Sequence, residues 1–301
     1  MTGVWPQHDP NEYNTKRFIY ESEQYHEILF IPIVTPLISL CPHRGIDPFH
    51  PSRAFTGPNT LAAQLGKAPQ NLTVLEPHLL AADLPAKRTY QGYPASQLLD
   101  HVLGKAWRAP GNEVAFLALD GYVSRIPSED IVRHEPLLAI AIRGQTDFTV
   151  DNPLQRQMGV PLGPYYLVWD NLRHPRLRER GGHIWPYQVA QVRVDTQRKE
   201  SLLHPGLSEA DRRTAKQVQE ACLSCHQIQG YGGQKMPTDL TQLAQGLSEA
   251  EFVEKTLDPA ARMPNSTMPP LLPKAKAQQR QALARQMHHY LRELARLRER
   301  G

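Results

Sequence analysis

The segment Cys222-Leu-Ser-Cys225-His226 limits the folds and functions open to this chain more than any other part of the sequence does. Two cysteines separated by two residues and followed directly by histidine have the spacing typical of covalent haem attachment, because each thiol can add across one vinyl group of the porphyrin. The imidazole of His226 would then lie under the ring and ligate the iron. The chain has 3 cysteines, and two of them belong to this motif. The motif therefore indicates a redox function.

Three other interpretations of the motif are open at this point. A zinc site would need four Cys or His ligands, usually with a second pair at short spacing, and Cys41 is the only other thiol in the sequence. A thioredoxin-like dithiol would follow a buried strand, whereas the residues before Cys222 are predicted to be helical. The motif could also be an accidental match on a loop. A second, independent feature is needed.

A proline-rich segment downstream offers that feature. Residues 262–273 read Arg-Met-Pro-Asn-Ser-Thr-Met-Pro-Pro-Leu-Leu-Pro, which has too much proline for a helix or a central strand. The sequence predicts an extended loop that can lay a thioether against the open face of a flat cofactor. Met/His ligation favours ferrous iron and raises its potential. Met263 and Met268 are both candidates, and either could instead be a packed core residue.

The last third of the chain resembles the class I cytochromes c. Within that family the methionine of a Met-Pro pair is the distal ligand, and Met268 fits better than Met263 because Asn-Ser-Thr precedes it and Pro-Pro-Leu follows it. The matching segments start at Gln217 and include the Cys-Leu-Ser-Cys-His motif, Gly230-Tyr-Gly-Gly, Pro237-Thr-Asp-Leu, Asp258-Pro and Asn265-Ser-Thr-Met-Pro-Pro.

The resemblance implies a defined set of ligands for one covalently bound haem c. Cys222 and Cys225 would hold the porphyrin, and His226 and Met268 would be the axial ligands of the iron. The carbonyl of Pro237, after the glycine-rich turn, would orient His226. The resemblance also implies that the first and last helices of this domain pack together beside the haem.

Local signals place helices around the motif. Two capping-box patterns, Ser208 with Asp211 and Ser248 with Glu251, predict one helix that leads into the motif and one that follows it. A last helix is predicted over residues 274–298. Its apolar stripe consists of Leu283, Met287, Tyr290, Leu291, Leu294 and Leu297.

Positive charge is concentrated in the last helix. The chain has a net charge of +4, yet residues 274–301 alone contain eight Lys and Arg against two Glu. This surplus could be a docking face for an acidic redox partner or an anionic membrane, or simply a solvated helix face. His288 and His289 are predicted to lie on the surface. Nucleic-acid binding is disfavoured because no basic patch interleaved with aromatic residues occurs elsewhere.

At 301 residues, the chain is expected to contain two domains. The predicted boundary lies between Asp195 and Leu207, in a polar run with turn residues. We expect an α+β protein: a poorly defined leader over 1–70, a mixed α/β domain over 71–200 and an all-α domain over 208–301. The strands predicted in the second region cover residues 114–119, 137–142, 165–169 and 188–194, and its helix starts at Ser96.

Six segments of the front region carry a second resemblance: Tyr90-Gln-Gly-Tyr-Pro, Asp120-Gly-Tyr, Leu137-Leu-Ala, Leu162-Gly-Pro, Leu167-Val-Trp and Trp185-Pro-Tyr-Gln-Val. With these segments the region resembles the molybdopterin-binding domain of the sulfite oxidase family. The family's molybdenum ligand is a cysteine, and this chain has none between Cys41 and Cys222. We therefore expect no molybdenum centre, and a domain that docks a partner or shields the haem.

If this region binds a pterin or another small ligand, five residues are the candidates. They are Asp120, Tyr122, Arg125, Trp169 and Trp185, and each also has an ordinary explanation as a turn or core residue.

An apolar run over residues 28–41, interrupted by two prolines, is the candidate export signal. Covalent haem attachment in bacteria takes place outside the cytoplasmic membrane, so a periplasmic location is expected. The run is shorter than a bilayer span, and it could hold the protein at a membrane.

The favoured function is electron transfer. The chain would be a monohaem cytochrome c that serves a periplasmic oxidoreductase or another cytochrome, with no catalytic residues of its own. The alternative is a haem-containing oxidoreductase whose front domain binds a molybdopterin-type cofactor or a small substrate.

Overall fold

The computed structural model describes residues 52–195, except 81 and 85, and residues 199–300. They belong to one compact unit, Asp47–Gly301. The candidate export segment and Cys41 lie outside the described residues. We refer to residues 52–195 as the N-terminal module and to residues 199–300 as the C-terminal module.

The N-terminal module is built on two antiparallel four-stranded sheets, with strand orders β1-β10-β4-β5 and β2-β3-β6-β9, and a β7-β8 hairpin. The strands are β1 (Arg53–Ala54), β2 (Gln70–Leu75), β3 (Lys87–Pro94), β4 (Glu113–Ala118), β5 (Val123–Pro127), β6 (Leu137–Ile142), β7 (Thr149–Asn152), β8 (Gln157–Pro161), β9 (Tyr166–Val168) and β10 (Val189–Asp195). The helices of this module are α1 (Pro58–Leu65), α2 (Pro77–Leu80), α3 (Ala95–Leu103) and α4 (Ser128–His134).

The strands of this module follow from their apolar and β-branched runs. The run Leu137-Leu-Ala-Ile-Ala-Ile forms β6 over the predicted residues, and the other three predicted strands correspond to β4, β9 and β10. All of the strand pairs in both sheets are antiparallel. Three tryptophans and four tyrosines are fully buried between the sheets and the helices: Trp107, Trp169, Trp185, Tyr90, Tyr93, Tyr165 and Tyr166.

The C-terminal module is mainly helical. Its elements are α5 (Glu209–Cys222), β11 (Gln227–Ile228), β12 (Tyr231–Gly232), α6 (Leu240–Gln245), α7 (Glu249–Leu257), α8 (Pro259–Arg262) and α9 (Ala277–Glu299). The side chain of Ser208 accepts the N–H of Asp211 and caps α5, and Ser248 and Glu251 form the predicted capping box of α7. With helices and sheets side by side, the chain is of the mixed α+β class.

The last helix packs against α5, α6 and α7 through the predicted stripe. Met287, Tyr290, Leu291 and Leu294 are fully buried, and the Tyr290 hydroxyl donates to the carbonyl of Leu202 at 2.7 Å. The prediction for His288 was wrong. Its ring is buried, with Nε2 within 3.2 Å of the Ala244 carbonyl and 3.0 Å of the Leu247 carbonyl, so it holds the end of α6.

Two apolar cores lie on either side of the predicted domain boundary. One extends from Leu61 to Val192 and the other from Leu202 to Leu294. Both belong to the same compact unit. The modules are therefore joined by direct contacts as well as by the chain itself.

Candidate functional site

The helix α5 delivers the two cysteines into a tight turn. It ends at Cys222, whose carbonyl accepts the N–H of Cys225 at 3.3 Å and the N–H of His226 at 3.0 Å. One carbonyl at the helix end thus ties together the three residues predicted to bind haem. The geometry follows from the motif itself, because a turn after a helix satisfies carbonyls that have no partner within the helix.

Both thiols are free, half-buried and protonated at neutral pH. Burial, followed by the nearby Cys225, raises the pKa of Cys222 to about 12. Burial also raises the pKa of Cys225 to about 11, with Asp120 raising it further and Lys235 opposing. A catalytic dithiol has a thiol pKa below its ordinary value. This pair has the opposite shift.

The ring of His226 is partly buried, and its Nδ1 has no hydrogen-bond partner in the described part of the chain. Burial lowers the pKa of this imidazole, so the ring is neutral at pH 7. A neutral imidazole can give a lone pair to a metal through one nitrogen and donate a proton from the other. A buried nitrogen without a partner calls for an explanation, and a bound group on this ring is one.

The expected contact of Pro237 with this ring stays a prediction. The Pro237 carbonyl accepts a hydrogen bond from Gln227 Nε2 at 2.9 Å, and the proline is exposed. The contact ties the segment after the glycine-rich turn to the residue that follows His226.

A glycine-rich loop lies directly on the cysteine motif. The N–H of Gly233 lies 2.9 Å from the Leu223 carbonyl and 2.8 Å from the His226 carbonyl, and a Cβ added to Gly233 would lie 2.0 Å from the Ser224 carbonyl. A Cβ on Gly232 would lie 2.1 Å from the carbonyl of His226. Only glycine allows this approach, which explains the Gly-Tyr-Gly-Gly sequence in physical terms.

The methionine loop is a separate segment that follows α8. Met268 is half-buried and its N–H donates to Ser266 Oγ at 3.1 Å, whereas the side chain of Met263 is 40% exposed. Arg280 fixes the far end of the loop by donating to the carbonyls of Leu271 and Leu257. Burial thus agrees with the choice of Met268, and its place opposite His226 stays a prediction.

The five ligand candidates of the N-terminal module fall into two groups. Trp169 and Trp185 are buried in its core, where Trp169 Nε1 donates to the Ile184 carbonyl at 2.7 Å. Asp120, Tyr122 and Arg125 lie instead where the N-terminal module touches the C-terminal module. The structure therefore separates the two tryptophans from the other three candidates.

Sequence analysis missed a buried polar cluster in the N-terminal module. Glu76 is fully buried and accepts hydrogen bonds from the hydroxyls of Tyr90 at 2.5 Å and Tyr166 at 2.8 Å. His78 Nε2 lies 3.9 Å from the same carboxylate, and the ring of Tyr187 packs edge-on against His78. The signal in the sequence was Glu76 itself, a single acid between apolar runs. Nothing local pairs it with tyrosines that are distant along the chain.

Burial determines the protonation of this cluster. It is the largest cause that raises the pKa of Tyr90 and Tyr166 above their ordinary range, so both phenols stay protonated and act as donors. It also lowers the pKa of His78, against the opposing effect of Glu76. The neutral ring of His78 therefore lies close to both the carboxylate of Glu76 and the ring of Tyr187.

In residues 52–195 and 199–300 there is no helix long and apolar enough to cross a bilayer. Within the same ranges, no group of three or more His, Cys, Asp or Glu side chains is arranged to hold a metal ion. Iron in a porphyrin with one imidazole and one thioether ligand does not require such a group. No protein-family model matches the sequence, and no curated protein is significantly similar to it.

Proposed function

We propose that this protein is a monohaem c-type cytochrome that carries electrons for a periplasmic oxidoreductase system. The observation that carries the proposal is the state of the motif at the end of α5. Two free, protonated thiols and a neutral imidazole with an unpartnered buried nitrogen lie in one turn beneath a glycine loop. This donor set fits a covalently attached haem.

Four residues would hold the group. Cys222 and Cys225 would form its thioether bonds, and His226 and Met268 would bind the iron. When bound, haem supplies one-electron chemistry at a potential set by its axial ligands, its exposure and nearby hydrogen bonds. The rest of the module holds these residues in place, through the cap of α5, the glycine loop and the arginine that fixes the methionine loop.

The basic charge of α9 is partly structural. Arg280 and Arg298 donate to backbone carbonyls, and Arg285 pairs with Glu249 at 3.4 Å. Lys276, Arg292 and Arg300 are exposed. These three are the residues through which an acidic redox partner would be steered, and such steering is sensitive to ionic strength.

The alternative function is an oxidoreductase whose N-terminal module binds a small substrate. The buried cluster around Glu76 favours it, because perturbed titratable groups are typical of functional sites. The sequence places no thiolate in this module for molybdenum. Stoichiometric molybdenum or turnover of a substrate by the isolated protein would favour the enzyme.

The test is expression of the full chain in a host that attaches haem to exported proteins. We expect a sharp c-type α-band in the reduced spectrum and a mass increase of one haem that survives denaturation. Cys222→Ser with Cys225→Ser should abolish covalent attachment, and Cys41→Ser should leave it intact. Absence of covalent haem from the unmodified chain would overturn the proposal.

A further inference from the structure

We propose that the N-terminal module forms one wall of the haem site, with Tyr122 as a positioning residue that keeps water away from the Cys225 side of the ring. This inference rests on the proposed function. It means that the potential of the haem depends on a residue outside the haem-binding domain.

The turn between β4 and β5 holds the cysteine motif by its backbone. The N–H of Val123 donates to the Ser224 carbonyl at 2.8 Å, and the N–H of Gln234 donates to the Gly121 carbonyl at 2.7 Å. Gly121 has a φ of +86°, and a Cβ there would lie 2.9 Å from the backbone of Gln234. The turn is therefore bonded both to the residue between the two thiols and to the loop that covers the motif.

The side chains of the same turn close the space beside Cys225. Tyr122 is half-buried. Its hydroxyl has the Ser224 side chain as a hydrogen-bond partner, and it lies near enough to the Cys225 thiol and to Tyr187 to interact with both electrostatically. Asp120 forms an ion pair with Lys235 at 2.7 Å, and both side chains are about one-third exposed or less. The phenol and the ion pair thus both lie beside the Cys225 thiol.

A second set of contacts reaches the methionine loop. Arg156, between β7 and β8, donates to the Pro264 carbonyl at 3.1 Å. Lys274, just beyond the loop, pairs with Asp83 at 2.7 Å and donates to the Leu80 carbonyl. The N-terminal module therefore contacts both segments that would carry axial ligands. A module that only tethered the cytochrome would not need to contact both.

A fixed wall has an electrostatic consequence for the iron. Ferric haem carries one more positive charge than ferrous haem, so excluding water disfavours the ferric form and raises the potential. Replacing Tyr122 by alanine admits water beside the ring and should lower the potential. Replacing Asp120 by asparagine removes a nearby negative charge and should raise it. The two changes act in opposite directions, which a general loss of structure would not produce.

The experiment is a spectroelectrochemical titration of the full-length holoprotein. We expect Tyr122→Ala to shift the ferric-to-ferrous ratio at a fixed applied potential about tenfold towards ferric, equivalent to about 59 mV for one electron. Tyr122→Phe should shift it less, and Asp120→Asn should shift it towards ferrous. The matched control is Tyr165→Phe, which removes a buried hydroxyl that donates to the Thr56 carbonyl in the N-terminal module.

An unchanged potential in Tyr122→Ala, with haem content intact, would overturn the proposal. If that variant does not fold, the sign of the Asp120→Asn shift decides in its place. If the unmodified chain carries no covalent haem, the proposed function fails. The wall is then tested separately, by measuring the rate at which Cys225 is alkylated in the full chain with Cys41 and Cys222 replaced by serine. Tyr122→Ala should then speed alkylation, and an unchanged rate would overturn the wall as well.

Discussion

The guanidinium carbon of Arg125 lies 4.3 Å from the centre of the Tyr231 ring, and this stacking joins the two modules. Arg125 Nε also forms an ion pair with Asp195 at 2.9 Å, with the two side chains only 5% and 8% exposed. Its other end donates to the Gly232 carbonyl at 3.4 Å. One arginine thus links the end of β10, the glycine loop and an aromatic ring of the C-terminal module.

Replacing Arg125 by methionine should lower the free energy of unfolding by about 3 kcal/mol, because Asp195 is left buried with a weaker partner. Removing one partner of a buried ion pair usually costs about 3–5 kcal/mol. We expect the lower value because Arg193 lies 3.7 Å from the same carboxylate and still partly compensates its charge. Urea denaturation with one probe in each module measures the change. Arg108→Met is the control, since its pair with Asp100 is about one-third exposed and should contribute less than about 1 kcal/mol. Equal effects of the two substitutions would contradict the role of Arg125.

The glycine loop gives a second prediction. Gly233→Ala would place a Cβ 2.0 Å from the Ser224 carbonyl, so the backbone must move. We expect the free energy of unfolding to fall by more than about 2 kcal/mol and haem attachment to be impaired. Gly230→Ala has no atom within 4 Å of the new Cβ, although its φ of +78° is unfavourable for alanine. It should cost about 1 kcal/mol and leave attachment intact.

Thermal unfolding together with haem quantification checks this pair. Similar haem contents in both alanine variants would show that haem attachment does not require the close approach of Gly233 to the Ser224 carbonyl.

How far the sequence predicted the structure depends on whether a signal was local. The capping box of Ser248 and Glu251 and the apolar run of β6 appear as predicted, because each is decided by neighbouring residues. The surface position predicted for His288 was wrong because the ring is buried against the carbonyls of Ala244 and Leu247, more than 40 positions earlier in the chain. A charged or polar residue on a helix carries no local mark of such a partner.

In the candidate site, too, only the residues marked by a local sequence signal could be predicted. Cys222, Cys225 and His226 are recognisable from spacing alone. The wall made by Tyr122 is not, because Ser224 lies about a hundred positions further along the chain and only the packing of the two modules brings them together. The cluster around Glu76 was not predicted for the same reason, since its partner Tyr166 is 90 positions away in the sequence.

The pH dependence of stability gives a third prediction. Burial lowers the pKa of His183 to about 4 from its ordinary value of 6.5. Between these two values the unfolded chain binds a proton that the folded chain does not, so the free energy of unfolding falls as the pH drops from 6.5 towards 4. The pKa differs by about 2.5 units between the two states, so His183 should account for roughly 3 kcal/mol of that loss.

Denaturation at several pH values tests this in His183→Gln, which should lose less stability across the window than the unmodified protein. His101→Gln is the control, because this residue is exposed. His78 and His226 also have lowered pKa values and remain in all three proteins. An identical slope in the His183 variant and the unmodified protein would contradict the prediction.

The choice between the two methionines gives the last prediction. Met268→Ala should abolish the methionine-to-iron charge-transfer band of the oxidised protein and lower its potential, because a thioether ligand stabilises ferrous iron. Met263→Ala is the matched control: it lies on the same loop, is followed by proline and is 40% exposed, so the band should persist. Both variants should keep covalent haem, since Cys222 and Cys225 are untouched. Loss of the band in Met263→Ala with its retention in Met268→Ala would reverse the assignment, and retention in both would mean that the sixth ligand comes from another residue.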